Sequence, residues 1–169
     1  MRYSKDVSII QEILNKLNSA KLIVDGYKGV QTEKAIKLAL EGGEVTEPLT
    51  QPHSEHFKFS EFTCHDGTEV PEMYWDNLQK NMNMLEILRT QLGNNPITVI
   101  SGYRTPTYNE SIGGATNSQH MFGSASDIKV ENVSPANVYN YADILYTNGG
   151  VGKYPTFTHV DVRGHKSRW

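Results

Sequence analysis

Hydrophobic positions near the N-terminus recur every three or four residues, which is the spacing of amphipathic helices. The first stripe follows Asp6, a suitable N-cap, and consists of Val7, Ile10, Leu14 and Leu17. The turn glycines of VDGYKG (24–29) separate it from a second stripe that Thr32 can cap, made of Ala35, Ile36, Ala39 and Leu40. The pattern predicts a small helical element over residues 1–42.

The periodicity then stops in a segment rich in glycine and proline, EGGEVTEPLTQPH (41–53). Such a composition is typical of a linker, which we place at residues 43–55. Residues 56–169 then form a second, larger domain.

Helix and strand periods alternate in this larger domain. Residues 73–92 predict a helix, with an apolar face of Leu78, Met82, Leu85, Leu88 and Leu92. Strand patterns occur at ITVIS (97–101), ASDIKV (125–130) and, as a final strand, FTHVDVRG (157–164), and Ser134-Pro135 starts a helix that ends near Gly149. The polar segment 102–117 predicts a long loop of the kind that carries sites. The order predicts an α+β fold with an antiparallel sheet and flanking helices.

Composition narrows the classes of partner and site. The net charge of −3 and pI near 6.1 give no electrostatic reason to bind nucleic acid or an anionic membrane. Cys64 is the only cysteine, which excludes an intramolecular disulfide and a cysteine-rich zinc site. The sequence shows no secretory signal and no membrane-spanning run, so we expect a protein that is made in the cytoplasm. We also expect it to be a monomer.

Candidate metal ligands cluster in two of the predicted strands. His159 and Asp161 are two residues apart and share one strand face, whereas His120 and Asp127 flank a run of small residues. If the two strands are neighbours, two imidazoles and one carboxylate converge, a set that suits catalytic zinc with an open fourth position. Spacing alone leaves open that these are ordinary hydrogen-bonded residues, as we expect for His53, His56, His65 and His165.

Three blocks carry a resemblance to a known family: SGYRTPTYN (101–109), SQHMFGSASDIKV (118–130) and GGVGKYPTFTHVDVRG (149–164). In this order they resemble the zinc D-Ala-D-Ala carboxypeptidase family of peptidoglycan hydrolases, family fifteen of the metallopeptidases, over about Phe57 to Trp169. The family pattern Ser-x-His-x-x-Gly-x-Ala-x-Asp is met by Ser118, His120, Gly123, Ala125 and Asp127. The resemblance implies the fold of lysostaphin-type and hedgehog domains, with one zinc ion held by His120, Asp127 and His159.

The resemblance also implies roles in substrate binding. Arg104 resembles the arginine that grips a substrate carboxylate, a task that suits a guanidinium fork, although a structural ion pair is the alternative. Ser118 belongs to the same substrate-binding set. Tyr103 and Tyr154 are candidate hydrogen-bond donors to the oxyanion, and each can instead be a packing residue.

The chain departs from the family at the general base. Many members carry an acidic residue three positions before the last zinc histidine, where this chain has Thr156, and some use a histidine at the next position, where it has Phe157. Asp161 lies on the same strand face as His159, so it is our candidate for the base that deprotonates the attacking water. The alternative is that Asp161 only orients His159 or pairs with Arg163.

The N-terminal element also has a resemblance. DVSIIQEILN (6–15) and LIVDGYKGVQTEKAI (22–36) resemble a helical peptidoglycan-binding repeat, and the alternative is a hairpin that merely packs on the enzyme. Together the resemblances imply a zinc peptidase that cuts an amide bond in stem peptides or cross-bridges of bacterial peptidoglycan, as an endopeptidase or D,D-carboxypeptidase. Without a signal peptide, a bacteriophage lytic enzyme acting on the host cell wall is expected, which either leaves the host cytosol through a separate pore or travels in the virion. A non-catalytic, zinc-stabilised wall-binding module is the alternative.

Overall fold

The computed structural model describes residues 51–169, together with the single residues Gln11 and Ile36. The chain divides into two units between Thr50 and Gln51, and the second unit is described below. The predicted N-terminal helices and residues 43–50 of the predicted linker lie outside the described residues. In the part that is described, no helix is both long and apolar enough to cross a membrane.

Three helices and five strands make up this unit. The helices are α1 (Trp75–Gln91), α2 (Pro106–Ser111) and α3 (Pro135–Leu145). The strands are β1 (Ile97–Ser101), β2 (Ala125–Val130), β3 (Gly150–Lys153), β4 (Thr158–Asp161) and β5 (Ser167–Arg168). Short 3-10 turns occupy Phe59–Phe62, Glu72–Tyr74 and Gln119–Phe122.

The five strands form one sheet in the order β1-β2-β4-β3-β5. All neighbours are antiparallel except β3 and β5, which run parallel. The predicted α+β class is therefore confirmed, with one edge pair departing from the expected antiparallel arrangement. The strand expected from FTHVDVRG is β4, and it is followed by β5 instead of ending the domain.

One face of the sheet packs against α1 and α3, and this contact forms the core. The strands contribute Ile128, Val130, Val151 and Val160, and the helices contribute Leu78, Met82, Leu85, Leu88, Val138 and Ala142. The buried Asn81 of α1 donates a hydrogen bond to Ser126 of β2 at 2.7 Å. Because side chains alternate along a strand, the residues between these core positions point to the opposite face of the sheet.

The predicted loop 102–117 contains a helix. Thr105 caps α2 by accepting a hydrogen bond from the Tyr108 amide, and Pro106 stands in the first turn. The same cap and proline start α3 at Ser134-Pro135, where we predicted a helix, although it ends at Leu145, short of Gly149. The polar composition of 102–117 concealed a six-residue helix, which the Thr-Pro pair signals.

Candidate metal centre and active site

The strand register places two of the predicted ligands side by side. Asp127 on β2 and His159 on β4 are direct cross-strand partners, so both side chains project from the sheet face opposite α1 and α3. His120 lies in the 3-10 turn before β2. This turn ends at Gly123, whose φ of 64° is in the left-handed region. The two predicted strands are thus neighbours, which is the condition for the three residues to converge.

Three ligand-type atoms meet at one point. His120 Nε2 lies 3.2 Å from His159 Nδ1 and 3.3 Å from Asp127 Oδ1, and His159 Nδ1 lies 2.8 Å from Asp127 Oδ1. In a tetrahedral shell with zinc bonds of about 2.0–2.1 Å, ligand atoms are separated by about 3.3–3.4 Å. The separations of 3.2 and 3.3 Å are close to this value, the 2.8 Å separation is shorter, and the group is consistent with one zinc ion.

The outer ring nitrogens show that this donor set suits a cation. His120 Nδ1 lies 2.6 Å from the Gly102 carbonyl oxygen, and His159 Nε2 lies 3.1 Å from Asp161 Oδ2. If these outer nitrogens carry the protons, the inner nitrogens present lone pairs to each other and to the Asp127 carboxylate. The three residues are 2%, 6% and 7% exposed, so solvent does not relieve this repulsion, whereas a bound cation does.

The protonation preferences of the metal-free cluster follow from burial and hydrogen bonds. Burial lowers the pKa of His120. Burial opposes the charged forms of Asp127 and His159, but the hydrogen bonds that Asp127 shares with the two histidines hold its pKa well below the usual range. Hydrogen bonds with Asp127 and Asp161 likewise outweigh burial and raise the pKa of His159.

Asp161 lies on the far side of the His159 ring from the point where the ligand atoms meet. Its side chain is fully buried and accepts hydrogen bonds from the Gly150 amide at 2.9 Å and from Arg163 Nε and Nη2 at 2.8 and 2.5 Å. Burial would raise the pKa of Asp161, but hydrogen bonds from His159 and Arg163 hold it well below its usual range. A Cβ at position 150 would overlap the Asp161 carboxylate, so glycine makes room for this arrangement.

Arg104 contacts the cluster through Asp127. Its Nη2 donates to Asp127 Oδ2 at 2.5 Å, and its Nε donates to Ser101 Oγ at 2.9 Å. The ion pair expected as one alternative is therefore present, and it occupies the carboxylate oxygen that faces away from the histidines. Within the part of the chain that the structure describes, Arg104 Nη1 makes no hydrogen bond, so it can still receive a substrate group.

The other predicted residues lie around the cluster with different exposures. Tyr103 is only 6% exposed and packs beside Tyr74, and burial raises the pKa of its hydroxyl. Ser118 is half-buried and begins the turn that carries His120. Tyr154 is 37% exposed and its hydroxyl accepts a hydrogen bond from Trp169 Nε1 at 3.0 Å.

Sequence reasoning missed Trp169, whose ring centroid lies 5.1 Å from that of His159. No spacing rule connects a residue beyond the last motif to a ligand on β4, because the contact is made by the chain's return as β5. The remaining histidines do not join the cluster: His56 contacts Glu86, His65 contacts Tyr108, and His53 and His165 are exposed.

The fold and the cluster together define an α+β protein with a buried His-Asp-His site of the metal-ligand type. The family model described as Peptidase M15 matches residues 55–161, and the chain belongs to this family.

Curated relatives agree with the family. The chain is 44% identical over 52 residues to a zinc D-Ala-D-Ala carboxypeptidase of Streptomyces albus G, covering 31% of this chain and 20% of the relative. It is 43% identical over 84 residues to a probable peptidoglycan L,D-endopeptidase, MepK, of Haemophilus influenzae, covering 44% and 45%. It is 38% identical over 134 residues to MepK of Escherichia coli K12, covering 75% and 68%. The chain thus spans less than half the length of the first two relatives.

Proposed function

We propose that this chain is a zinc-dependent peptidase that hydrolyses an amide bond in the peptide part of bacterial peptidoglycan. The observation that carries the proposal is the convergence of His120 Nε2, Asp127 Oδ1 and His159 Nδ1 within 3.3 Å of one another. The names of the relatives support the substrate class, since one is a D-Ala-D-Ala carboxypeptidase and others are peptidoglycan L,D-endopeptidases. Whether this chain is a carboxypeptidase or an endopeptidase is decided by the product analysis below.

A zinc ion at this site would supply a Lewis acid that polarises the amide carbonyl and lowers the pKa of a water toward ~7. The chain's own residues supply the geometry. His120, Asp127 and His159 would hold the ion, and Arg104 donates a hydrogen bond to the second Asp127 oxygen. All three ligand side chains are buried, so little water reaches their ligand atoms.

Of the two roles that the sequence leaves open for Asp161, the geometry supports orientation. A general base must reach the proton that it removes, either directly or through one water. Asp161 is fully buried, lies behind the His159 ring and has both oxygens engaged by Arg163. We therefore assign Asp161 the task of holding His159 Nε2, so that Nδ1 faces the cluster.

The decisive experiment is digestion of purified sacculi by the full-length, zinc-loaded chain. We expect new amino groups or free D-alanine to appear, and mass spectrometry of the released fragments identifies the bond. His120→Ala should lose both bound zinc and activity, because one of three ligands is gone. His53→Ala, at an exposed histidine outside the cluster, is the matched control and should retain both.

Two outcomes would overturn the proposal. If the zinc-loaded chain sediments with sacculi but releases no amine, it is the non-catalytic wall-binding module. If His120→Ala keeps full zinc content and activity, the ligand assignment is wrong. The phage lytic role, the monomeric state and wall binding by residues 1–42 stay predictions from the sequence.

A further inference from the structure

Three aromatic side chains form a continuous row beside the cluster: Trp169, Tyr154 and Phe157, here called the aromatic shelf. The rings of Tyr154 and Phe157 stack with centroids 4.3 Å apart and planes 10° apart, and Trp169 Nε1 donates to the Tyr154 hydroxyl at 3.0 Å. The row reaches the metal site because the Trp169 ring lies 5.1 Å from the His159 ring. Trp169 and Tyr154 remain 46% and 37% exposed, so the row faces solvent next to the cluster.

The shelf is held in place by its neighbours. Gly152 is the cross-strand partner of His159, and a Cβ there would lie 2.6 Å from the Trp169 indole, so the ring lies over a bare backbone. The Arg163 guanidinium sits 5.1 Å from the Trp169 ring, and the Lys153 amide donates to the Trp169 carbonyl at 2.8 Å. A rigid aromatic surface binds a ligand with little loss of side-chain entropy.

Distance indicates which part of a substrate would contact the shelf. An extended peptide advances about 3.3–3.6 Å per residue, so the 5.1 Å between the His159 and Trp169 rings corresponds to one or two residues. A group on the shelf would therefore lie within a few residues of an amide bond held at the cluster. In a peptide substrate this group is a neighbouring amino acid, and the negative face of an aromatic ring favours its aliphatic side chain over a carboxylate.

On the basis of the function proposed above, we infer that the aromatic shelf binds the amino acid flanking the cut amide bond, with Trp169 and Tyr154 contacting its aliphatic side chain. The shelf then sets substrate specificity and the cluster carries out the reaction. Tyr154 contributes its ring in this role, and its hydroxyl accepts a hydrogen bond from Trp169 Nε1.

Steady-state kinetics separate binding by the shelf from support of the metal. Tyr154→Ala should raise KM at least about 10-fold with kcat within about 3-fold and zinc content unchanged, because the contacts found for Tyr154 among the described residues are with Phe157 and Trp169. Tyr154→Phe keeps the ring but loses the acceptor of the Trp169 hydrogen bond, so its rise in KM should be smaller than that of Tyr154→Ala. Trp169→Ala should raise KM as well. Tyr141→Ala, at a tyrosine of α3 that is 46% exposed on the opposite side of the sheet, is the matched control and should change nothing.

Fluorescence gives a readout that does not depend on turnover. The chain has two tryptophans, Trp75 and Trp169, and Trp75 lies in α1 with its indole bonded to the Val70 carbonyl. In the full-length, zinc-loaded Trp75→Phe variant, stopped-flow mixing with a soluble disaccharide-peptide fragment of peptidoglycan should change Trp169 emission before products form. The same disaccharide without its peptide should not.

The two proposals fail in different ways. Hydrolysis with unchanged KM in Tyr154→Ala and no emission change overturns the shelf and leaves the proposed function standing. An equal emission change with the bare disaccharide also overturns it, since the occupant is then a sugar. An emission change specific to the peptide, without hydrolysis by the zinc-loaded chain, supports the shelf as a peptide site and overturns the proposed function.

Discussion

His120 and His159 face the cluster through different ring nitrogens, Nε2 and Nδ1. In each case a hydrogen bond on the other nitrogen sets the orientation, to the Gly102 carbonyl for His120 and to the Asp161 carboxylate for His159. A carboxylate partner holds a ligating imidazole in one tautomer and makes it a stronger donor to a metal. The identity of residue 161 therefore bears directly on metal affinity.

Replacing Asp161 by Asn distinguishes orientation from proton transfer. Because the amide keeps the size but loses the charge that faces His159 and Arg163, we expect zinc affinity to fall roughly 10–100-fold. Activity should recover when free zinc is raised to saturation. Zinc titration with a competing chelator, followed by assays at saturating zinc, checks both points. A loss of activity of roughly 100-fold or more with unchanged zinc affinity would instead identify Asp161 as the base.

The edge strand β5 is attached to α3 by one side chain. Arg168 Nη1 donates to the Gly149 carbonyl at 2.6 Å, and Nε donates to the Asp143 carboxylate. Its Nη2 donates to the Tyr146 and Asp143 carbonyls at 2.8 and 3.1 Å. A cation at these carbonyls also interacts favourably with the helix C-terminus. The contact fixes the segment that carries Trp169.

Arg168→Ala should destabilise the protein by about 2 kcal/mol or more, because several carbonyl groups lose a charged donor. Thermal unfolding should show a midpoint lower by several degrees. The matched control is Lys166→Ala: Lys166 pairs with the same Asp143 at 3.4 Å but is 58% exposed, so its removal should have little effect. Equal midpoints for Arg168→Ala and wild type would contradict the role of Arg168.

A second attachment joins the start of the domain to α1 and depends on pH. Glu86 accepts hydrogen bonds from the Ser54 hydroxyl and from the His56 amide at 2.8 Å. Burial would raise the pKa of Glu86, but these hydrogen bonds outweigh it and lower the pKa. Since the folded-state pKa is depressed, the stabilisation is complete above the unfolded value of about 4.3 and is lost as pH falls below it.

We expect Glu86→Gln to lower the free energy of unfolding most at neutral pH, with the difference from wild type shrinking as pH falls below about 4.3. Urea unfolding at a series of pH values measures this difference. Glu131→Gln serves as the control, because the exposed Glu131 side chain bonds to no described residue. A difference for Glu86→Gln that is constant with pH would show that its charge is not involved.

For the molecule as a whole, metal binding and folding are linked. The three ligands come from a turn, β2 and β4, so an ion held by them favours the state in which these elements are assembled. Anything that binds only the folded state stabilises it in proportion to the logarithm of its concentration over its Kd.

Chelation of zinc should therefore lower the thermal midpoint of the full-length chain. At free zinc 100 times its Kd, the expected stabilisation is about 2.7 kcal/mol, which corresponds to several degrees. Scans with chelator and with graded zinc provide the measurement. His120→Ala should show almost no dependence on zinc, and a wild-type midpoint that ignores zinc would contradict the link between the metal site and folding.

Local rules were sufficient for much of the fold. The period of three to four residues predicted α1, strand patterns predicted β1, β2 and β4, and the Ser-Pro cap predicted the start of α3. The same rules missed β3 and β5, because GVGK and SR carry too little apolar alternation to indicate strands. These two strands form through hydrogen bonds to neighbours already in the sheet, which is a property of the assembled domain.

The sequence by itself indicated the type of site, because two histidines and an aspartate stand in blocks that resemble those of a zinc peptidase family. Only the tertiary structure decided what each neighbour does. Asp161 lies behind the His159 ring, Arg104 pairs with Asp127, and Trp169 returns along β3 to reach the cluster. Periodicity reports which face a residue occupies, but contacts between distant segments depend on strand order and register, which no local pattern encodes.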